Sequence, residues 1–167
     1  MTAAIETMRR YGYNALILHE NDLLDACTQI GTAANFGVAD LRWKKVSNRL
    51  AWMKRLVERL DVIGAKLFLE IKEPSYHDYI FEIFPDLIDA EGRVDPTSLR
   101  WTEFCALKTR QFLQHVPGIG GFIVNLSSPE SRVSLQDYLS DRGKTIDLDE
   151  WLDRMIPKCT AELVHAS

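Results

Sequence analysis

Carboxylates, amides and one lysine gather at the ends of three short aliphatic runs: residues 14–22 (NALILHEND), 66–74 (KLFLEIKEP) and 121–130 (GFIVNLSSPE). The first four or five positions of each run suit a strand buried on both faces, as parallel sheets require. Glu20, Glu70, Glu73 and Glu130 are costly to bury unpaired. Hydrophilic groups collected at the carboxyl ends of parallel strands are how barrels of alternating strands and helices build their active sites. These four glutamates are therefore the residues that chemistry has to account for.

Glu130 follows Asn125, Ser127 and Ser128, with Pro129 stiffening the chain just before it. A carboxylic acid partly shielded from water has its pKa raised and can donate a proton to a leaving oxygen. The plainer reading is a loop glutamate held by Arg132. Lys72 lies between Glu70 and Glu73, and strand alternation puts Glu70 and Lys72 on one face. An inward lysine is either a Schiff-base amine or the partner of Glu70. Pairing is favoured, because neighbouring carboxylates stabilise the ammonium form.

His19, Glu20, Asp22, Glu73, His77 and Asp78 have the donor types of a magnesium or manganese site in a sugar isomerase. Asp22, His77 and Asp78 read more simply as residues at helix starts, so neither a metal nor a cofactor is expected. Phe36, Trp43, Tyr76 and Tyr79 fall near strand ends or loops, where sugar rings stack on aromatic faces. Trp43, Trp52, Trp101 and Trp151 fall in helical patterns and read mainly as packing residues.

The elements that must position these groups alternate. Residues 2–10 read as a helix feeding the first strand. A long helix follows, with Val46, Leu50, Met53, Val57 and Leu60 at intervals of three and four, and Gly64 ends it where a left-handed residue is cheap. The second strand begins two residues later. After it come a short helical turn over 79–84, a turn or helix start at Asp95, Pro96 and Thr97, and a helix with Trp101, Phe104, Cys105, Phe112 and Leu113 on one face. Pro117, Gly118, Gly120 and Gly121 break that helix before the third strand. Residues 127–145 read as a long loop with a partial helix over 134–139. A last helix is capped by Asp147, with Leu148, Trp151, Met155 and Cys159 on one side.

The chain is thus expected to be α/β, with parallel strands near 14–20, 66–71 and 121–126 alternating with helices. No glycine-rich phosphate loop follows any strand, which weighs against a nucleotide-binding open sheet. The expected architecture is a partial (β/α) TIM-type barrel, residues 1–167 forming one domain. At 167 residues the chain is shorter than the ~250 of a complete barrel.

The 20 basic and 24 acidic residues leave a net charge of -4, so no overall pull toward nucleic acid or an anionic membrane is expected. Cys27, Cys105 and Cys159 lack zinc or disulfide spacing and read as small core residues. No run approaches the ~20 apolar residues of a membrane span. No signal peptide is read in the opening residues, so the expected location is the cytoplasm.

Residues 60–130 resemble part of the catalytic barrel of the α-glucuronidases that remove glucuronic acid from xylan. The carrying segments are DVIGAKLFLEI (61–71), DPTSLRWTEFCALK (95–108) and VPGIGGFIVNLSSPES (116–131), while GYNALILHEND (12–22) is similar to an early strand of that barrel. The resemblance implies a glycoside hydrolase in which Glu130 is the general acid on the fourth strand. The family's glycine- and proline-rich loop after that glutamate is replaced here by Ser131, Arg132, Val133 and Ser134, and the acidic cluster of Glu70, Lys72 and Glu73 is a departure. The water-activating carboxylates of the family come from later strands outside this sequence, so negligible isolated activity is expected.

The resulting expectation is a domain that binds or acts on a carbohydrate bearing a uronic acid. Glu130 is its proton donor, and Glu20, Asn21, Lys72, Glu73 and Asn125 are its substrate-binding groups. Arg132 is the partner of the uronate, since a guanidinium pairs well with a carboxylate. Three alternatives remain open: a noncatalytic remnant that associates with itself or with a missing barrel half through unpaired strand edges, a metal-dependent sugar isomerase, and an aldolase using Lys72.

Overall fold

Parallel pairing of the three aliphatic runs organises the chain. The computed structural model describes residues 2–19, 27–28, 41–72, 76, 80–125, 135–143 and 145–155. The elements in order are α1 (Thr2–Tyr11), β1 (Ala15–His19), α2 (Leu41–Val62), β2 (Lys66–Lys72), α3 (Ile80–Ile83), a 3-10 turn (Pro85–Leu87), α4 (Leu99–His115), β3 (Gly121–Asn125), α5 (Leu135–Asp141) and α6 (Leu148–Met155). The sheet is open and its strand order is β1-β2-β3, with both pairs parallel.

Alternation along β2 separates two chemistries. Leu67, Leu69 and Ile71 are buried, and they join Leu50, Met53, Leu56, Val57 and Leu60 of α2 with Phe112 and Leu113 of α4 in one core. Leu16 and Leu18 of β1 and Phe122 and Val124 of β3 pack against the same core, so α2 and α4 lie on a single face of the sheet. That placement follows from two crossovers of the same hand between strands laid down in sequence order. The second face carries Ile17, Phe68 and Ile123, which belong to neither core cluster; Ile17 is 53% and Ile123 41% exposed.

Local signals place the element ends. Gly64 has φ +70°, and Ala65 donates to the Leu60 carbonyl while Gly64 donates to that of Asp61, which closes α2 and aims the chain into β2. The glycine pair that leads into β3, Gly120 and Gly121, has a further steric reason. A Cβ on Gly120 would lie 2.7 Å from Cζ of Phe68 and 3.0 Å from Cβ of Lys66, so the bare backbone lets β3 pass beneath the Phe68 ring. Ser98 caps α4 by accepting from the Trp101 N–H, and Asp95 accepts from the N–H and hydroxyl of Thr97 just upstream.

A second core forms where α3, the 3-10 turn, α4, α5 and α6 meet, around Trp101, Phe104, Cys105, Leu135 and Trp151. The Trp151 indole donates to the Pro96 carbonyl at 2.9 Å, tying α6 to the loop before α4. Lys108 is fully buried on α4, with its ammonium 5.0 Å from the centroid of the Phe104 ring. Asp147 caps α6 as expected, accepting from the N–H groups of Asp149 and Glu150. Leu148, expected on the packed side, is instead exposed. It is the first residue of an eight-residue helix, and Trp151 and Leu152, one turn later, are the residues that reach the core. Cys27 and Cys105 are buried and not joined in a disulfide, while Cys159 lies outside the described residues. Among the described residues no helix is long and apolar enough to cross a membrane.

Candidate functional site

The carboxyl ends of the strands bring together residues that are 51 and 55 positions apart. Register sets His19 of β1 directly beside Glu70 of β2, and Lys72 of β2 beside Asn125 of β3. All four occupy odd or even positions that share the second face with Ile17, Phe68 and Ile123. His19 Nδ1 lies 2.5 Å from Glu70 Oε2, and Asn125 Nδ2 donates to Glu70 Oε1 at 3.3 Å. Each oxygen of one carboxylate is thereby engaged by a neighbouring strand.

Electrostatics follow from these contacts. The hydrogen bond from His19, then that from Asn125, hold the Glu70 carboxyl below the usual carboxylate range, with smaller contributions from the charge of His19 when its ring is protonated and then from that of Lys72. Partial burial opposes them and does not prevail. Lys72 is 5% exposed, so the ammonium two residues beyond Glu70 is enclosed. The arrangement offers an ionised carboxylate, an oriented imidazole, an amide and a cation above an apolar strip. Such a set can hydrogen-bond several hydroxyls while an apolar ligand face rests on the side chains of the strip.

The lowered carboxyl sets a pH dependence. Ionised Glu70 is favoured in the folded chain over the unfolded one, so its contribution is complete above the ordinary value of 4.5 and is lost as pH falls through the lower folded-state value. Urea unfolding of wild type and Glu70→Gln across a pH series is expected to show the widest stability gap near neutrality, closing in acid below 4.5. A gap that stays constant with pH would remove the carboxylate from this role.

Of the sequence-derived site residues, Lys72 and Asn125 are brought together here. Glu20, Asn21, Glu73, Glu130 and Arg132 lie outside the described residues. The expected pairing of Glu70 with Lys72 is corrected in one respect: the hydrogen-bond partners of Glu70 are His19 and Asn125, and Lys72 acts on it through charge. His19 shares metal-type donor chemistry with Glu20, Asp22, Glu73, His77 and Asp78, and those five also lie outside the described residues. No cluster of three metal-ligating side chains occurs among the described residues. Of the aromatic residues considered for sugar stacking, Tyr76 packs edge-on against Trp101 and Phe81 in the second core. Phe36, Tyr79 and the Trp43 side chain lie outside the description.

The His19–Glu70 pair is the element that sequence reading missed. Both residues stand near strand ends, which was legible, but their being neighbours depends on the β1–β2 register, and no hairpin links parallel strands to set it. Compared with protein-family models, curated proteins and solved structures, the chain has no match.

Proposed function

We propose that the chain is a glycoside-hydrolase-like domain that binds a carbohydrate, one bearing a uronic acid, at the carboxyl ends of its parallel strands. The observation that supports this reading is the convergence of His19, Glu70, Lys72 and Asn125 at one end and on one face of the sheet. Strands ordered as in the sequence, with α2 and α4 on a single face, are the local arrangement of a (β/α) barrel, whereas doubly wound sheets reverse their order and carry helices on both faces. In this proposal the second face is the inner face of a barrel segment, and further strands complete it.

Glu130 follows Asn125, the last residue of β3, by five positions and serves in this reading as general acid. Its proton passes to the glycosidic oxygen as the anomeric carbon–oxygen bond breaks, and a water activated by a separate base adds to the anomeric carbon. The base is proposed to come from strands beyond those described, so binding rather than turnover is the activity expected here. Glu70 and Asn125 engage sugar hydroxyls, and Arg132 meets the uronate.

Isothermal titration with a glucuronic-acid-substituted xylo-oligosaccharide tests the reading. Wild type is expected to bind, and Asn125→Ala to bind about tenfold more weakly, the cost of roughly 1.4 kcal/mol that one hydrogen bond supplies. Absence of binding by the folded wild-type chain at millimolar sugar would refute it.

A further inference from the structure

We propose that His19 is the hydrogen-bond acceptor of the strand-end site, taking a ligand hydroxyl at Nε2. The inference rests on the carbohydrate reading for the identity of the ligand, and on the His19–Glu70 contact with an ionised carboxylate for the state of the ring.

Glu70, held ionised at neutral pH by its partners, has acceptors only. A contact of 2.5 Å between its Oε2 and Nδ1 of His19 therefore requires the ring proton on Nδ1. A neutral imidazole carries one N–H, so Nε2 is left with its lone pair. This is the opposite tautomer to the one free histidine favours in water, and a carboxylate on the adjacent strand fixes it. Asn125 holds the other oxygen of that carboxylate, which limits its rotation away from the ring.

The His19 side chain is 60% exposed, in contrast to 19% for Glu70, so the imidazole presents its outer edge to solvent while the carboxylate supports it from the neighbouring strand. A lone pair in this setting selects donors. A sugar hydroxyl satisfies it; a uronate carboxylate, itself acceptor-only, does not and would also meet the charge of Glu70. Ile123 lies level with His19 and Glu70, beside the carboxylate on β3, and Ile17 and Phe68 continue the same face one step toward the amino ends of the strands, giving the acceptor an apolar floor. A pyranose has the matching amphipathic form, with hydroxyls at its rim and C–H groups on its faces. The hydroxylated edge of the sugar is thereby assigned to His19, and any carboxylate of the ligand is directed away from it.

Long-range proton–nitrogen correlation spectra of the chain labelled with 15N-histidine, at a pH where the ring is neutral, test this directly. His19→Gln identifies the resonance among the four histidines. The expected pattern is protonated Nδ1 and unprotonated Nε2 in wild type, reverting toward protonated Nε2 in Glu70→Ala. Titration with xylotriose is expected to move the Nε2 resonance and leave Nδ1 in place. Protonated Nε2 in wild type overturns the proposal whatever the ligand. Sugar-dependent shifts of the Asn125 side-chain amide without any at Nε2 overturn the role of His19 and leave the carbohydrate reading standing. No sugar-dependent shift at either group overturns the carbohydrate reading, and the ligand assigned to His19 falls with it.

Discussion

Truncating Trp101 to alanine is expected to cost about 3–5 kcal/mol, among the largest losses any single substitution in this chain produces. The indole is fully buried in the second core, 5.5 Å from the Tyr76 ring centroid and 5.4 Å from that of Phe104, both in tilted or edge-on contact. Removing it deletes a large apolar volume at the first turn of α4, in a cluster shared with Ile80 of α3 and Trp151 of α6. Its Nε1–H is buried without a hydrogen-bond partner among the described residues. Trp101→Phe is expected to lose much less than Trp101→Ala: both remove a donor whose isolation costs about 1–3 kcal/mol, but phenylalanine keeps most of the ring volume. Chemical denaturation of the three proteins checks the order. A loss for Trp101→Phe as large as that for Trp101→Ala would mean that ring volume is not what the indole contributes, and a loss of several kcal/mol for Trp101→Phe against wild type would mean that the indole N–H is satisfied.

The second large effect contrasts the two faces of the sheet. Leu69, at the centre of β2, is fully buried between the sheet and the layer formed by α2 and α4, and Leu69→Ala is expected to destabilise by about 2–5 kcal/mol. Ile17 is one residue offset in register, on the opposite face of the adjacent strand, and Ile17→Ala is expected to cost about 1 kcal/mol or less because half of the side chain is already in water. Denaturant midpoints for the pair measure how asymmetrically the sheet is buried. Comparable losses at both positions would show that the Ile17 face is packed as tightly as the Leu69 face, leaving no room there for a ligand.

Much of this architecture is legible in the sequence. The stripe of Leu50, Met53, Val57 and Leu60 marks the packed face of α2, Gly64 marks its end, and Trp101, Phe104, Cys105, Phe112 and Leu113 are all buried on α4. These signals are local: a helical period, a left-handed glycine, an apolar run bounded by turn residues. Strand neighbours are not local. The residues 14–22 and 66–74 show that Glu70 ends in a polar setting, and proximity in sequence suggested Lys72 as its partner. Its hydrogen-bond partners come from the strands on either side, through a register that depends on how two intervening helices pack. Phe68 likewise reads as one more core residue of an aliphatic run, yet it lies on the face opposite Leu67 and Leu69, over the glycines that open β3.

The sequence separation between His19, Glu70 and Asn125 also has a kinetic meaning. Neither contact can form until a crossover of some fifty residues has been closed, and closing long loops before their contacts reward it is slow. Two such closures must both succeed before Glu70 has its partners. The imidazole and amide signals of the strand ends should accordingly appear last during refolding, later than helicity in α2 or α4, making the site a reporter of when the chain has finished folding.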